Sequence, residues 1–125
     1  TRESAPMEWA AMQHNLGNIL QALGSKESGT TRFKEAAVAY RAVLTVLTRD
    51  YVPLDWVTVQ NSLAGALSAI AERDYSPAGL QYLEEARQAL EQALEVALSA
   101  KAAHHVEMVN GSLWRLNTLI QMRGG

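Results

Sequence analysis

The chain of 125 residues contains no cysteine, which removes disulfide staples, thiolate metal sites and cysteine nucleophiles from consideration together. A reducing, cytoplasmic setting is the expectation that fits. No apolar run approaches the ~20 residues needed to span a bilayer, and Thr1-Arg2-Glu3 shows neither an initiator Met nor the layout of a signal peptide. The 11 basic residues are scattered among 13 acidic ones, for a net charge of −2, and form no basic stripe. Neither nucleic acid nor an anionic membrane is therefore expected as a partner. Period-two alternation, which would mark a strand, is missing; so are a phosphate loop and any grouping of Ser, His and acid. Catalysis and a cofactor are not expected. Hydrophobic residues nevertheless make up 48% of the chain, enough for one folded domain with a real core rather than a disordered segment.

What is present is a copy. Thr1-Arg2-Glu3-Ser4-Ala5-Pro6-Met7-Glu8-Trp9 returns as Thr48-Arg49-Asp50-Tyr51-Val52-Pro53-Leu54-Asp55-Trp56, and the same 47-residue shift pairs Gln13 with Gln60, Leu16 with Leu63, Leu20 with Leu67 and Leu23 with Ile70. Farther along, Glu35-Ala36 reappears as Glu85-Ala86 at a shift of 50. The difference points to three extra residues in the loop between the third and fourth helices, since loops absorb insertions most readily. Periods of this size are the mark of a helical solenoid. Because the copied stretch is itself the junction between units, the chain is expected to start part-way along a longer array.

Proline occurs only at Pro6, Pro53 and Pro77, each just ahead of an apolar-periodic segment where a missing N–H does no harm. Three helix starts are marked in this way. The first helix is expected to bury Trp9, Met12, Leu16, Ile19, Leu20 and Leu23 as one stripe and to end at Gly24. After a polar loop over Ser25 to Thr31, capped by Thr30 or Thr31, a second helix runs from about Arg32 to about Arg49 on Phe33, Ala36, Ala37, Tyr40, Val43, Leu44 and Leu47. A third, about Leu54 to Glu72, copies the first and buries Trp56, Val59, Leu63, Leu67 and Ile70. The fourth, about Gly79 to Ala100, copies the second with Leu83, Ala86, Leu90, Ala93, Leu94, Ala97 and Leu98. The fifth, about Ala102 to Met122, places Val106, Val109, Leu113, Leu116 and Ile120 on one face, and Gly124-Gly125 stops it. Its register is open between a shift of 50, which sets Gly111-Ser112-Leu113 against Asn61-Ser62-Leu63, and one of 46, which sets Leu113 against Leu67.

The run Trp9-Ala10-x-x-Gln13-x-x-Leu16-Gly17-x-x-Leu20, followed by Glu35-Ala36-x-x-Ala39-Tyr40-x-x-Val43-Leu44, resembles the tetratricopeptide repeat. Leu16-Gly17 and Leu63-Ala64 match that family's large-then-small pair on the first helix of each unit; Ala36 with Tyr40, and Ala86 with Leu90, match the second helix. Small residues there let paired helices approach at the short end of the usual ~8 to 10 Å spacing. Gln13 and Gln60 stand where the family usually has an aromatic, and the unit is longer than the usual ~34 residues, a length found in extended arrays of large bacterial proteins, often beside signalling or protease-like domains. The resemblance implies an all-α fold, a right-handed α-solenoid of antiparallel helix pairs. Its five helices make about two and a half units: residues 6–50, 53–100, and a half unit or cap over 102–123.

It also implies a protein- or peptide-binding scaffold. Carried over by register, the groove positions are Ala11, His14, Asn18 and Gln21 on the first helix, Thr58, Asn61, Gly65 and Ser68 on the third, and Met108, Ser112, Arg115 and Thr118 on the fifth. Such a groove is polar and nearly uncharged. It does not suit a C-terminal carboxylate, because His14, Ser62, Met108 and Ser112 replace the Lys, Asn, Lys and Arg of the family's carboxylate clamp and leave only Asn18 in place. His104-His105 does not read as a metal site, since adjacent helical positions point about a hundred degrees apart and zinc needs three or four ligands. Trp9 and Trp56 read as wedges between units. Trp114 occupies the position where Gly17 and Ala64 admit a partner helix, so Leu113 and Trp114 form a second candidate surface, for self-association into a homodimer.

Overall fold

A computed structural model describes residues 1–124, and among these the chain is all-helical, with five helices and no strand. They are α1 (Pro6–Ser25), α2 (Thr31–Leu44), α3 (Pro53–Arg73), α4 (Pro77–Ser99) and α5 (Ala103–Met122). All three prolines stand at the head of a helix, where the locked φ is already helical and the lost N–H had no intrahelical partner.

Consecutive helices pack on one another, α3 also touches α1 and α5, and no close backbone approach joins α2 to α4. Gly17 lies against Tyr40 and Gly24 against Phe33, contacts that climb α2 as they descend α1. Between α1 and α3 the pairs run in the same sense, His14 to Ser62 and the Gly24 carbonyl to Arg73. From α3 to α5 they run Asn61 to Ser112 and the Ala71 carbonyl to Arg123. The core along these seams is mostly aliphatic, with Val57, Val59, Leu67, Ile70, Leu90, Val109 and Leu116 fully buried around the Tyr40 ring. No buried side-chain polar atom among the described residues lacks a partner.

Two arginine struts repeat through the fold. The Arg73 guanidinium donates to the carbonyls of Gly24, Glu27 and Gly29 at 2.9, 2.7 and 2.7 Å and covers the Phe33 ring. Fifty positions on, Arg123 donates to the carbonyls of Ala71, Asp74 and Ser76 at 2.8, 2.8 and 3.4 Å and covers the Tyr75 ring. Each strut gathers carbonyls from the last turn of one helix and from the loop that follows it. At the junctions, Arg2 stacks over Trp9 and reaches Thr45, while Arg49 stacks over Trp56 and reaches Glu95. Arg73 and Arg123 act alike at a shift of 50, which favours that register for α5 over one of 46.

The glycines are matched to their partners. A Cβ on Gly17 would meet the Tyr40 ring at 2.5 Å, and one on Gly24 would meet Phe33 at 3.0 Å. In the second unit the corresponding pairs are Ala64 with Leu90 and Ala71 with Leu83. Glycine plus an aromatic ring has twice been exchanged for alanine plus leucine, which keeps the interhelix volume nearly constant.

Several expectations are corrected. Gly24 does not end α1, which runs to Ser25; it is glycine because Phe33 packs on it. Thr30 sits at the N-cap of α2, but neither it nor Thr31 makes a side-chain capping bond. α2 stops at Leu44 rather than near Arg49, because the Thr45 hydroxyl bonds back to the Ala42 carbonyl at 2.6 Å and the next amides tighten onto Ala42 and Val43. At the matching position α4 has Glu95, a helix former, and continues to Ser99. The three extra residues do not lengthen the loop before α4, which spans only 74–76 against 26–30 in the first unit; they add a turn to the start of α4. Leu98 is exposed, not buried. The largest departure is on α1, where Met12, Leu16, Ile19 and Leu23 are all exposed and the buried positions are Ala10, Gly17 and Gly24. α1 has α2 and α3 for neighbours, and neither covers that stripe. Gly125 lies outside the described residues.

Candidate binding groove

The polar positions of α1, α3 and α5 meet along two seams. At the first, Ala11, His14 and Thr58 line a cleft of about 230 Å³ together with Met7, Asp55 and Val59. At the second, Gly65, Ser68, Ser112 and Arg115 line a cleft of about 160 Å³ walled by Leu90 and Leu116, with Glu72 at its edge. Both seams follow from the repeat: helices that pack in the same sense, nearly fifty residues apart, bring equivalent positions side by side.

The side chains in the seams are held, and largely by each other. Tyr40 Oη donates to Asn18 Oδ1 at 2.7 Å and accepts from Gln21 Nε2 at 3.0 Å. That same Gln21 amide donates to the Ser62 carbonyl at 3.1 Å, tying α1 to both α2 and α3. Burial pushes the Tyr40 phenol above its ordinary pKa, a shift that the Gln21 bond opposes, so the group stays neutral and serves as both donor and acceptor. His14 Nε2 stands 3.4 Å from Ser62 Oγ, and its ring meets Tyr40 edge-on at 5.7 Å between centroids. Desolvation lowers the His14 pKa against the opposing pull of the Asp55 carboxylate. At the second seam Ser112 Oγ donates to Asn61 Oδ1 at 2.7 Å, and Arg115 donates to Ser112 at 3.3 Å.

The expected groove residues are therefore brought together, but they divide into two kinds. Gln21 is part of the joint between helices, and the Thr58 and Thr118 hydroxyls bond back to Leu54 and Trp114 within their own helices. Ala11, Asn18, Gly65 and Arg115 present exposed surface, and Met108 is half-buried and packs on the core. The Asn18 and Asn61 amide N–H groups carry no protein hydrogen bond among the described residues. Reading the chain alone missed Tyr40 and Ser62 as organisers of the seam. Gly17, one residue from Asn18 and facing a buried aromatic, was the signal for the first.

The second candidate surface is split. Leu113 is half-buried and packed on the core, whereas Trp114 is 71% exposed on the outer side of α5. His104 and His105 meet edge to face at 5.7 Å, and no third His, Cys, Asp or Glu gathers with them among the described residues. No helix among those residues is long and apolar enough to cross a membrane.

The fold defines a class, an all-α chain in which one two-helix arrangement is used twice and followed by a fifth helix. No protein-family model matches the chain, and no curated protein or solved structure resembles it significantly.

Proposed function

We propose that this chain is a tetratricopeptide-like, right-handed α-solenoid that serves as a cytoplasmic protein- or peptide-binding scaffold. An extended peptide would lie along the seams of α1, α3 and α5. The observation that carries this reading is the pair of clefts where α1 meets α3 and α3 meets α5, each with an apolar floor and a few polar side chains at its walls. The seam side chains are already fixed by mutual hydrogen bonds, so little rotamer entropy is lost when a ligand arrives. The Asn18 and Asn61 amides supply donors to peptide carbonyls, and exposed Gly65 leaves room for a backbone.

The test is to select binders from a random-peptide library and measure their affinity for Gly65→Leu. The only side-chain atoms near an added Cβ there are the Gln21 amide atoms at 3.6 and 3.7 Å, so the new side chain fills the cleft and not the core. Binding is expected to weaken at least about tenfold, some 1.4 kcal/mol, with the far-UV circular dichroism unchanged. Affinity that survives this change, or an exchange footprint away from these helices, refutes the groove. Exposed Trp114 favours a second reading, self-association through α5; light scattering at micromolar concentration that finds only monomer removes it.

A further inference from the structure

We propose that the exposed face of α1 is a docking site for an amphipathic helix faced with alanine and small aliphatic residues, a helix of the kind that α2 and α4 are. Met12, Leu16, Ile19 and Leu23 form one stripe at helical spacing and are 70, 44, 58 and 44% exposed. Exposed Val38 on α2 extends it across a hollow of about 380 Å³ lined by Leu16, Leu20 and Ala39. An apolar stripe running the length of a helix marks a contact surface rather than scattered surface hydrophobics.

The repeat says what covers it. Forty-seven positions on, the same stripe is Val59, Leu63, Ala66 and Ile70, and every one is buried. Fifty further, it is Val109, Leu113, Leu116 and Ile120, buried or half-buried and packed on the core. The helices that precede these stripes and pack on α3 and α5 are α2 and α4, both rich in buried alanine: Ala36, Ala37 and Ala39 in one, Ala86, Ala89 and Ala93 in the other. α1 has the same stripe and no such helix.

The opposite end is built differently. On α5 the positions that take a partner helix on α1 and α3 are Glu107, Asn110, Asn117 and Gln121 around Trp114, all exposed, a face polar except for one tryptophan and unlike the apolar stripe of α1. A second copy cannot supply the missing helix face, because its α2 is covered by α3 and its α4 by α5. The occupant is therefore a helix from outside these 125 residues. This surface is separate from the proposed groove and does not depend on it.

The decisive experiment appends a copy of Thr30–Leu47 ahead of Thr1, which recreates the α2-to-α3 junction because Thr1-Arg2 repeats Thr48-Arg49. The melting temperature is expected to rise by about 5 °C or more, and Met12→Glu or Ile19→Glu is expected to abolish the rise while shifting the unextended chain by less than about 2 °C. The same segment added as a free peptide should bind, with each substitution weakening it at least about tenfold. Gly65→Leu, which fills the groove, should leave the rise intact, so the two proposals fail separately. No rise, a rise that survives both substitutions, or a dimer of the unextended chain that Ile19→Glu dissociates would each overturn the proposal.

Discussion

Gly17→Ala tests whether the glycine and aromatic pairs are matched as argued. The new Cβ would stand 2.5 Å from Tyr40 Cε1 and 2.9 Å from Cδ1 and Cζ, against the ~3.5 to 4.0 Å at which carbon atoms normally rest. The ring cannot swing aside without cost: it is fully buried, and its hydroxyl is held at 2.7 Å by Asn18 and 3.0 Å by Gln21. Overpacking of this kind costs ~1 to 3 kcal/mol, while alanine in a helix regains about 1 kcal/mol over glycine. The net expectation is a loss of up to ~2 kcal/mol. Tyr40→Leu alone leaves a void beside Gly17 and is expected to cost about 2 kcal/mol. The double variant recreates the Ala64 and Leu90 pair of the second unit, so it should be more stable than the sum of the single losses by about 1 to 2 kcal/mol, a coupling of the size that touching residues show. Urea unfolding followed by circular dichroism measures all three. Additivity within about 0.5 kcal/mol would refute the claim that the two positions are complementary.

Arg73→Ala removes three carbonyl bonds and is expected to cost about 2 kcal/mol, with amide exchange faster over residues 24–31; Lys in its place should restore only part, since one ammonium cannot reproduce the planar fork. Unchanged exchange in that loop would count against the strut. Burial holds the folded-state pKa of His14 below its ordinary ~6.5. As pH falls through that ordinary value, the unfolded chain takes up a proton that the folded chain refuses. Stability should therefore drop across this window and level off below the folded pKa. His14→Gln is expected to remove that part of the slope, and an identical urea-midpoint profile between pH 7.5 and 5.5 would show that His14 is not its source. Gly65→Ala, with no side-chain atom closer than 3.6 Å to the added Cβ, should raise stability by about 0.5 to 1 kcal/mol, opposite in sign to Gly17→Ala.

The repeat and the helices lay in the chain because they rest on local rules, while the register of α5 stayed open between two shifts. A fixed apolar spacing makes a helix wherever it sits, a proline can head one, and a copied junction such as Thr48 to Trp56 folds as its original does. The candidate groove was legible in part for the same reason, since equal register brings Asn61 beside Ser112. What the chain alone did not disclose were contacts that depend on which surfaces meet. Met12 and Val59 occupy the same place in the pattern, yet one is exposed and the other buried, because α3 has α2 beside it and α1 has nothing there. Asn18 and Gln21 read alike as groove amides, yet the Tyr40 hydroxyl, 22 and 19 residues away, engages the oxygen of the first and the nitrogen of the second. Arg73 and Arg123 look like ordinary surface cations in sequence; only the return of the chain sets each one over three carbonyls some fifty residues back. Periodicity specified the helices and their order, and the tertiary structure alone decided which apolar stripe is covered and which polar side chains are already engaged, because burial and hydrogen bonding belong to pairs of surfaces and not to positions.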